Sequence, residues 1–150
     1  MQFVKETVIQ ASPERVFSFH ELPDAFERLL PPWEHVRIIQ KAEISEIGSR
    51  SIIEQRLFRA FPSRWVAEHT QYDPPRMFED VQISGPFKSW RHRHIVKQHP
   101  EGAVLCDEIT YEPPMGFLGS FIAPFAILPK LEKLFEYRHA VIKYWSEYGN

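Results

Sequence analysis

The chain has 150 residues, 43% of them apolar and 25% charged, the size and mix of one globular domain (residues 1–150) with an ordinary core. Its net charge of −2 and the absence of any basic run exclude nucleic acid as a main partner, because phosphate binding needs a basic stripe. A single cysteine, Cys106, excludes an internal disulfide and a cysteine-rich zinc site and fits a reducing cytoplasm.

The opening MQFVKETVIQ lacks the charged-then-apolar pattern of a signal peptide. No apolar run reaches the ~18 residues of a membrane span. Residues 2–10 read as a β-strand. Ser12-Pro13-Glu14 then starts a helix, with Ser12 as N-cap, Pro13 at the first helical position and an acid in the first turn. That helix runs to about Phe19. Asp24 opens a second short helix to about Leu30, stopped by Pro31-Pro32.

From Val36 to Tyr111 the pattern is strand after strand. Val36 to Ile44 alternate, and residues 50–59, 63–72, 77–83, 88–98 and 103–112 follow. The breaks are Ile47-Gly48-Ser49, Ala60-Phe61-Pro62, Asp73-Pro74-Pro75, Gly85-Pro86 and His99-Pro100-Glu101-Gly102. Such short connections make antiparallel neighbours. Pro113-Pro114-Met115-Gly116 ends the strands, and Leu118 to Tyr148 is helical, interrupted or started by Pro124 and Pro129. After Pro129, Leu131, Leu134, Phe135, Arg138, Val141, Ile142 and Trp145 lie at helical spacing on one face. The class is α+β: a curved antiparallel sheet of about seven strands, two short helices after the first strand, and a long C-terminal helix to cover one sheet face.

Alternation also assigns faces. In residues 88–97, Arg91, Arg93 and Lys97 must be solvated, so Trp90, His92, His94 and Val96 point inward. A tight hairpin at Gly85-Pro86 pairs Gln82 with Trp90, Asp80 with His92 and Phe78 with His94. The next loop pairs His94 with Asp107, His92 with Ile109 and Trp90 with Tyr111. The outward set, Glu79, Arg91, Arg93 and Glu108, can form cross-strand ion pairs, and a slip of one residue would invert it. By the same reasoning Ile53, Gln55 and Leu57 face inward with Trp65, Ala67 and His69, and Glu54, Arg56, Arg64 and Glu68 face outward.

The element order resembles the SRPBCC helix-grip superfamily, which includes START lipid-transfer domains, birch-pollen-allergen-like proteins and polyketide cyclases. Ala11-Ser12-Pro13-Glu14-Arg15-Val16-Phe17 looks like its entry motif. The middle is similar to a bacterial cyclase/dehydrase-like branch. The matching run is Trp65-x-x-Glu68-His69, Phe78-x-Asp80-x-Gln82, Gly85-Pro86-Phe87-x-x-Trp90-x-His92-x-His94, Asp107-x-x-x-Tyr111-x-x-Pro114-x-Gly116 and Phe135-x-Tyr137-Arg138. The resemblance covers nearly the whole chain. It implies a helix-grip fold with an internal pocket, and no catalytic residue is carried over from it.

Two functions fit. One is binding of a small, mostly apolar ligand of lipid, polyketide or aromatic type between sheet and helix. Its candidate contacts are Trp65, His69, Phe78, Gln82, Trp90, Tyr111, Leu134, Phe135, Arg138 and Ile142. The other is a cofactor-free cyclase- or dehydratase-like enzyme, with His92, His94, Asp80 and Asp107 as candidate acid–base groups and Arg138 or Tyr111 facing the developing oxyanion. Four ionisable groups in one cavity can equally be a self-satisfied structural network. Arg138, on the apolar stripe, needs a carboxylate, either Asp80 or Asp107, or an anionic ligand group.

No cofactor and no metal site are assigned, although His92-x-His94 has the ~7 Å spacing of two ligands on one strand face. His20, His35, His99 and His139 read as surface residues, and Cys106 as an outward, half-buried thiol. The apolar run from Met115 to Pro129 reads as core plus a pocket gate hinged at Gly116 and Gly119, with a dimer or membrane-surface patch as the alternative. The expected assembly is a monomer or homodimer.

Overall fold

Period-two alternation across the middle of the chain resolves into a single antiparallel sheet. The computed structural model describes residues 1–57 and 61–149. The elements are β1 (Gln2–Ile9), α1 (Pro13–His20), α2 (Ala25–Arg28), β2 (Val36–Gln40), β3 (Arg50–Leu57), β4 (Phe61–Asp73), β5 (Met77–Ser84), β6 (Ser89–His99), β7 (Gly102–Glu112), α3 (Gly116–Ala126) and α4 (Leu128–Tyr148). The strands lie in the order β1-β7-β6-β5-β4-β3-β2. This is the expected helix-grip layout. The expected inward Leu57 and the Ala60-Phe61-Pro62 turn fall, wholly or in part, outside the described side chains.

Local chemistry sets the element ends. The Ser12 hydroxyl accepts the Arg15 N–H at 3.1 Å and caps α1. The second helix is shorter than expected, because Leu29 and Leu30 close i−3 turn bonds to Phe26 and Glu27 just before Pro31. Strand β2 also stops early: its pairing with β3 shifts between Ile38 and Gln40, and the Gln40 amide then bonds the Arg50 carbonyl. Between β7 and α3 the chain turns through two left-handed residues, Met115 (φ 67°) and Gly116 (φ 53°). The C-terminus of α4 is held by Arg15, whose guanidinium lies 3.7 Å over the Trp145 ring and bonds the carbonyls of Trp145 and Gly149 at 3.1 and 2.6 Å.

The register is the expected one where it matters. Asp80 pairs with His92 and Phe78 with His94, while His94 pairs with Asp107, His92 with Ile109 and Trp90 with Tyr111. One pairing is corrected. The β5–β6 ladder ends at Val81–Arg91, so Gln82 and Trp90 are not partners. The hairpin is wider than a tight turn, and the Gln82 amide fills it, bonding Phe87 O at 2.8 Å and Phe87 N at 3.3 Å.

On the convex face Arg93 pairs with Glu79, Arg64 and Arg37 with Glu54, and Arg50 with Glu68. A bulge near Thr70 turns the Thr70 hydroxyl and the Gln71 amide onto Glu79 as well.

The helix α4 packs against β1, α1 and α3, so it covers one side of the concave face more fully than the other. Inner residues of β6 and β7 are buried (Trp90, His92, Val96, Leu105, Ile109, Tyr111). Those of β3 and β4 (Ile53, Gln55, Trp65, Ala67) are only half-buried.

Most of the apolar run from Met115 to Pro129 is not core, although its end, Ile127 and Leu128, packs against a buried cluster. In α3 the inward positions are the small Gly119 and Ala123, and a Cβ on Gly119 would meet the Pro114 carbonyl at 1.7 Å. The large side chains therefore point away: Phe117, Phe121 and Phe125 are 88%, 70% and 80% exposed. Among the described residues no helix is long and apolar enough to cross a membrane.

Candidate functional site

Three imidazoles converge on one carboxylate. Asp107, on the inner face of β7, is 3% exposed. Its Oδ1 lies 2.6 Å from His92 Nε2 and 3.1 Å from His94 Nδ1, and its Oδ2 lies 2.7 Å from His139 Nε2. The second nitrogen of His139 meets the Thr7 hydroxyl at 2.8 Å, which ties β1, β7 and α4 together. Strand geometry explains the rest. His92 and His94 are two apart on β6, so they share a face, with β5 on one side and β7 on the other. His94 is thereby held between two acids, its Nε2 lying 3.0 Å from Asp80 Oδ2. Its ring stacks on Phe78 at 4.0 Å and 8° and lies 3.7 Å from the His92 ring.

Burial and hydrogen bonding set the charges. Burial alone would raise the Asp107 carboxyl, but the hydrogen bonds from His139, His92 and His94 hold it well below the usual carboxylate range. Asp80 is likewise lowered: burial alone would raise it, but its bond to His94 and the charges of His92, His94 and His69 together outweigh that. Burial works against an imidazolium at His94, yet Asp107 and Asp80 together push its pKa up to about 9. Burial and the neighbouring His94 lower His92. At neutral pH the cluster therefore holds two carboxylates, a protonated His94 and a neutral His92.

Two further imidazoles flank it. His69 lies across the ladder from Asp80, and the His20 ring is 5.8 Å from that of His94. Both are 8% exposed, and the Nδ1 of each is buried with no hydrogen-bond partner among the described residues. Burial lowers both, His20 to about 3 with a contribution from His94.

Several expectations change here. His20 and His139 are interior, not surface. Both sit on apolar stripes, at Val16-Phe17-His20 in α1 and at Leu131-Phe135-His139-Ile142 in α4, so helical spacing was the signal that could have found them. Cys106 does lie opposite Glu6 and Ile95, but it is fully buried, and burial raises its thiol to about 12.

Arg138 pairs with neither acid: Asp107 is held by three histidines and Asp80 by His94. Its Nε bonds the Leu29 carbonyl at 3.3 Å and its guanidinium lies 5.3 Å from the Phe135 ring. It forms no ion pair among the described residues, and its burial lowers its pKa from the ordinary arginine value.

The expected wall residues divide into two apolar groups. Trp65, Trp90, Tyr111, Leu134 and Phe135 pack in one, and Phe78 and Ile142 in the other. Trp65 meets Trp90 edge-on at 5.0 Å. Phe78, Trp90, Tyr111, Phe135 and Ile142 are all buried and so belong to packed interior. Trp65, Leu134 and Arg138 remain half-buried. A groove of about 690 Å³ lies elsewhere, between the start of α1 and the ends of β5 and β6.

The sequence of residues 9–129 matches the family described as polyketide cyclase / dehydrase and lipid transport. The chain belongs to this family. No protein of curated function matches the chain. Among solved structures, this polyketide cyclase/dehydrase and lipid-transport family member is similar to protein CV1439 from Chromobacterium violaceum, at TM-score 0.71 and 15% identity over 97% of each chain. It is similar to the di-domain ARO/CYC StfQ from the steffimycin biosynthetic pathway, at TM-score 0.75 and 12% identity, covering 97% of this chain and 50% of that one. It is also similar to Ara h 8.0201, at TM-score 0.64 and 12% identity, covering 95% and 97% of the two chains. At these identities the likeness is one of fold.

Proposed function

We propose that this family member binds a small, mostly apolar ligand of lipid, polyketide or aromatic type on the inner face of β3 and β4, against α4. The observation that carries this reading is Arg138: a half-buried guanidinium without a carboxylate partner among the described residues, set against the Leu29 carbonyl and the Phe135 ring. A cation in that setting suits the anionic or strongly polar end of an otherwise apolar molecule. Trp65 and Leu134 offer apolar surface at the opening, and the packed aromatic interior sets the floor. The family description names lipid transport, which agrees in chemistry. The expected setting is the cytoplasm, as a monomer or homodimer; the lone, buried Cys106 suits a reducing compartment. The test is native mass spectrometry of freshly purified protein, followed by titration of the emptied protein with dodecanoate. Saturable binding that weakens in Arg138→Gln supports the reading, and binding indifferent to that change removes Arg138 from it.

A second reading is acid–base chemistry of cyclase or dehydratase type, favoured by a neutral His92 in ring contact with a protonated His94. The pair could remove a proton from a carbon acid and return one to oxygen. Catalysed exchange of the acidic C–H of a bound 1,3-dicarbonyl compound in deuterated water, lost in His92→Ala, is the test. Exchange at the background rate contradicts it.

A further inference from the structure

We propose that Asp80, His92 and His94 form a binding site for a divalent first-row transition-metal ion of the zinc class, independent of the apolar ligand. One donor atom from each of the three lies within 4.8 Å of the other two. The His94 Nε2 to Asp80 Oδ2 distance is 3.0 Å, a few tenths of an ångström short of the roughly 3.4 Å that separates two donors held at ~2.1 Å from one tetrahedral ion. Small side-chain rotations therefore close the triad on an ion.

The supporting groups are already in place. Metal-binding imidazoles give their second N–H to a carboxylate, which fixes the tautomer and aims the free lone pair at the ion. Asp107 takes Nδ1–H of His94 and Nε2–H of His92, leaving the other nitrogen of each ring as a donor. His139, on the far oxygen of Asp107, holds that carboxylate in position. Two nitrogens and one carboxylate oxygen are the donor set of zinc-class ions with an open position.

A second observation points to the same place. The Nδ1 atoms of His69 and His20 are buried and unpartnered among the described residues. His69 sits opposite Asp80 on the inner face, outside the triad itself, where its free nitrogen suits a partner for metal-bound water rather than a direct ligand. An ion would also replace the proton that His94 Nε2 shares with Asp80, releasing it to solvent.

The experiment uses the full chain, treated with EDTA and dialysed. Cobalt(II) is titrated in, with d–d absorption and circular dichroism recorded together, and zinc(II) is then added. Saturable stoichiometric binding with visible bands, reversed by zinc, is expected. In the wild-type chain, zinc should also shift the ring nitrogen resonances of His92 and His94, a readout that needs no variant. Asp80→Asn and His94→Gln should abolish binding. Asp107→Asn should weaken it by about 10–100-fold, and His99→Gln should leave it unchanged. Folded wild-type protein without saturable binding overturns the proposal, as does binding that leaves the two ring resonances unmoved.

Discussion

His139 Nε2 lies 2.7 Å from Asp107 Oδ2, and this contact joins the C-terminal helix to β7 through the interior. Asp107 thus serves three imidazoles on two elements, and it is the group whose removal the site tolerates least. Asp107→Asn keeps the volume but removes the charge from beneath three rings. Breaking a buried charged pair costs about 3–5 kcal/mol. Urea unfolding should show a lower midpoint with an unchanged slope; an unaltered midpoint would show that the cluster contributes nothing to stability.

The exposed apolar helix gives a contrast. Phe121, 70% exposed on α3, and Phe135, 1% exposed on α4, are both phenylalanines in apolar stretches. Phe121→Ser should change stability by no more than about 0.5 kcal/mol. Phe135→Ala should cost about 3–5 kcal/mol. Equal losses in thermal or urea unfolding would place α3 back in the core.

Much of the architecture is legible in the sequence. Alternation in β5, β6 and β7 fixes register, because one face carries Arg91, Arg93 and Lys97, which keep solvent contact, with Glu79 buried beneath Arg93 as its ion-pair partner. That constraint alone brings Asp80, His92, His94 and Asp107 together. Helical faces are less sharp. A stripe one residue wide of the true centre selects Arg138 and misses His139, since neighbours on a helix differ by only 100°. The fate of residues 116–126 is not legible by hydrophobicity, because the small Gly119 and Ala123 pack inward while the phenylalanines do not. Arg138's partner is equally hidden: which base or acid a cation finds depends on how histidines have already filled the carboxylates.

Protonation should shape stability in metal-free protein. His20 has its pKa pushed down to about 3, so its contribution is fully present above the unfolded value of about 6.5 and is lost as pH falls from there. The loss is about 1.4 kcal/mol per pH unit. His69 and His92, also lowered, act with the same sign. His94, pushed up to about 9, acts oppositely: its contribution is complete below about pH 6.5 and is lost as pH rises toward its folded value. Maximal stability is therefore expected near pH 6.5. His20→Leu should flatten the limb between about pH 6.5 and 4 by roughly 1.4 kcal/mol per unit. An unchanged limb in urea unfolding across that range would contradict this assignment.

Trp65 should report ligand directly. It is half-buried at the less covered side of the inner face and meets Trp90 at 5.0 Å. Titration with an apolar naphthalene derivative should quench its fluorescence saturably. Trp65→Phe should remove most of that quenching while the fold persists; quenching that survives intact would place the ligand elsewhere.

The most direct test of an apolar ligand between β3, β4 and α4 is a proton–nitrogen NMR titration of the emptied full chain with dodecanoate. Saturable shifts concentrated at Ile53, Trp65, Ala67, Leu134 and Arg138 are expected, with the convex ion pairs unmoved. Shifts confined to the exposed side chains of α3, or none that saturate, would contradict the account.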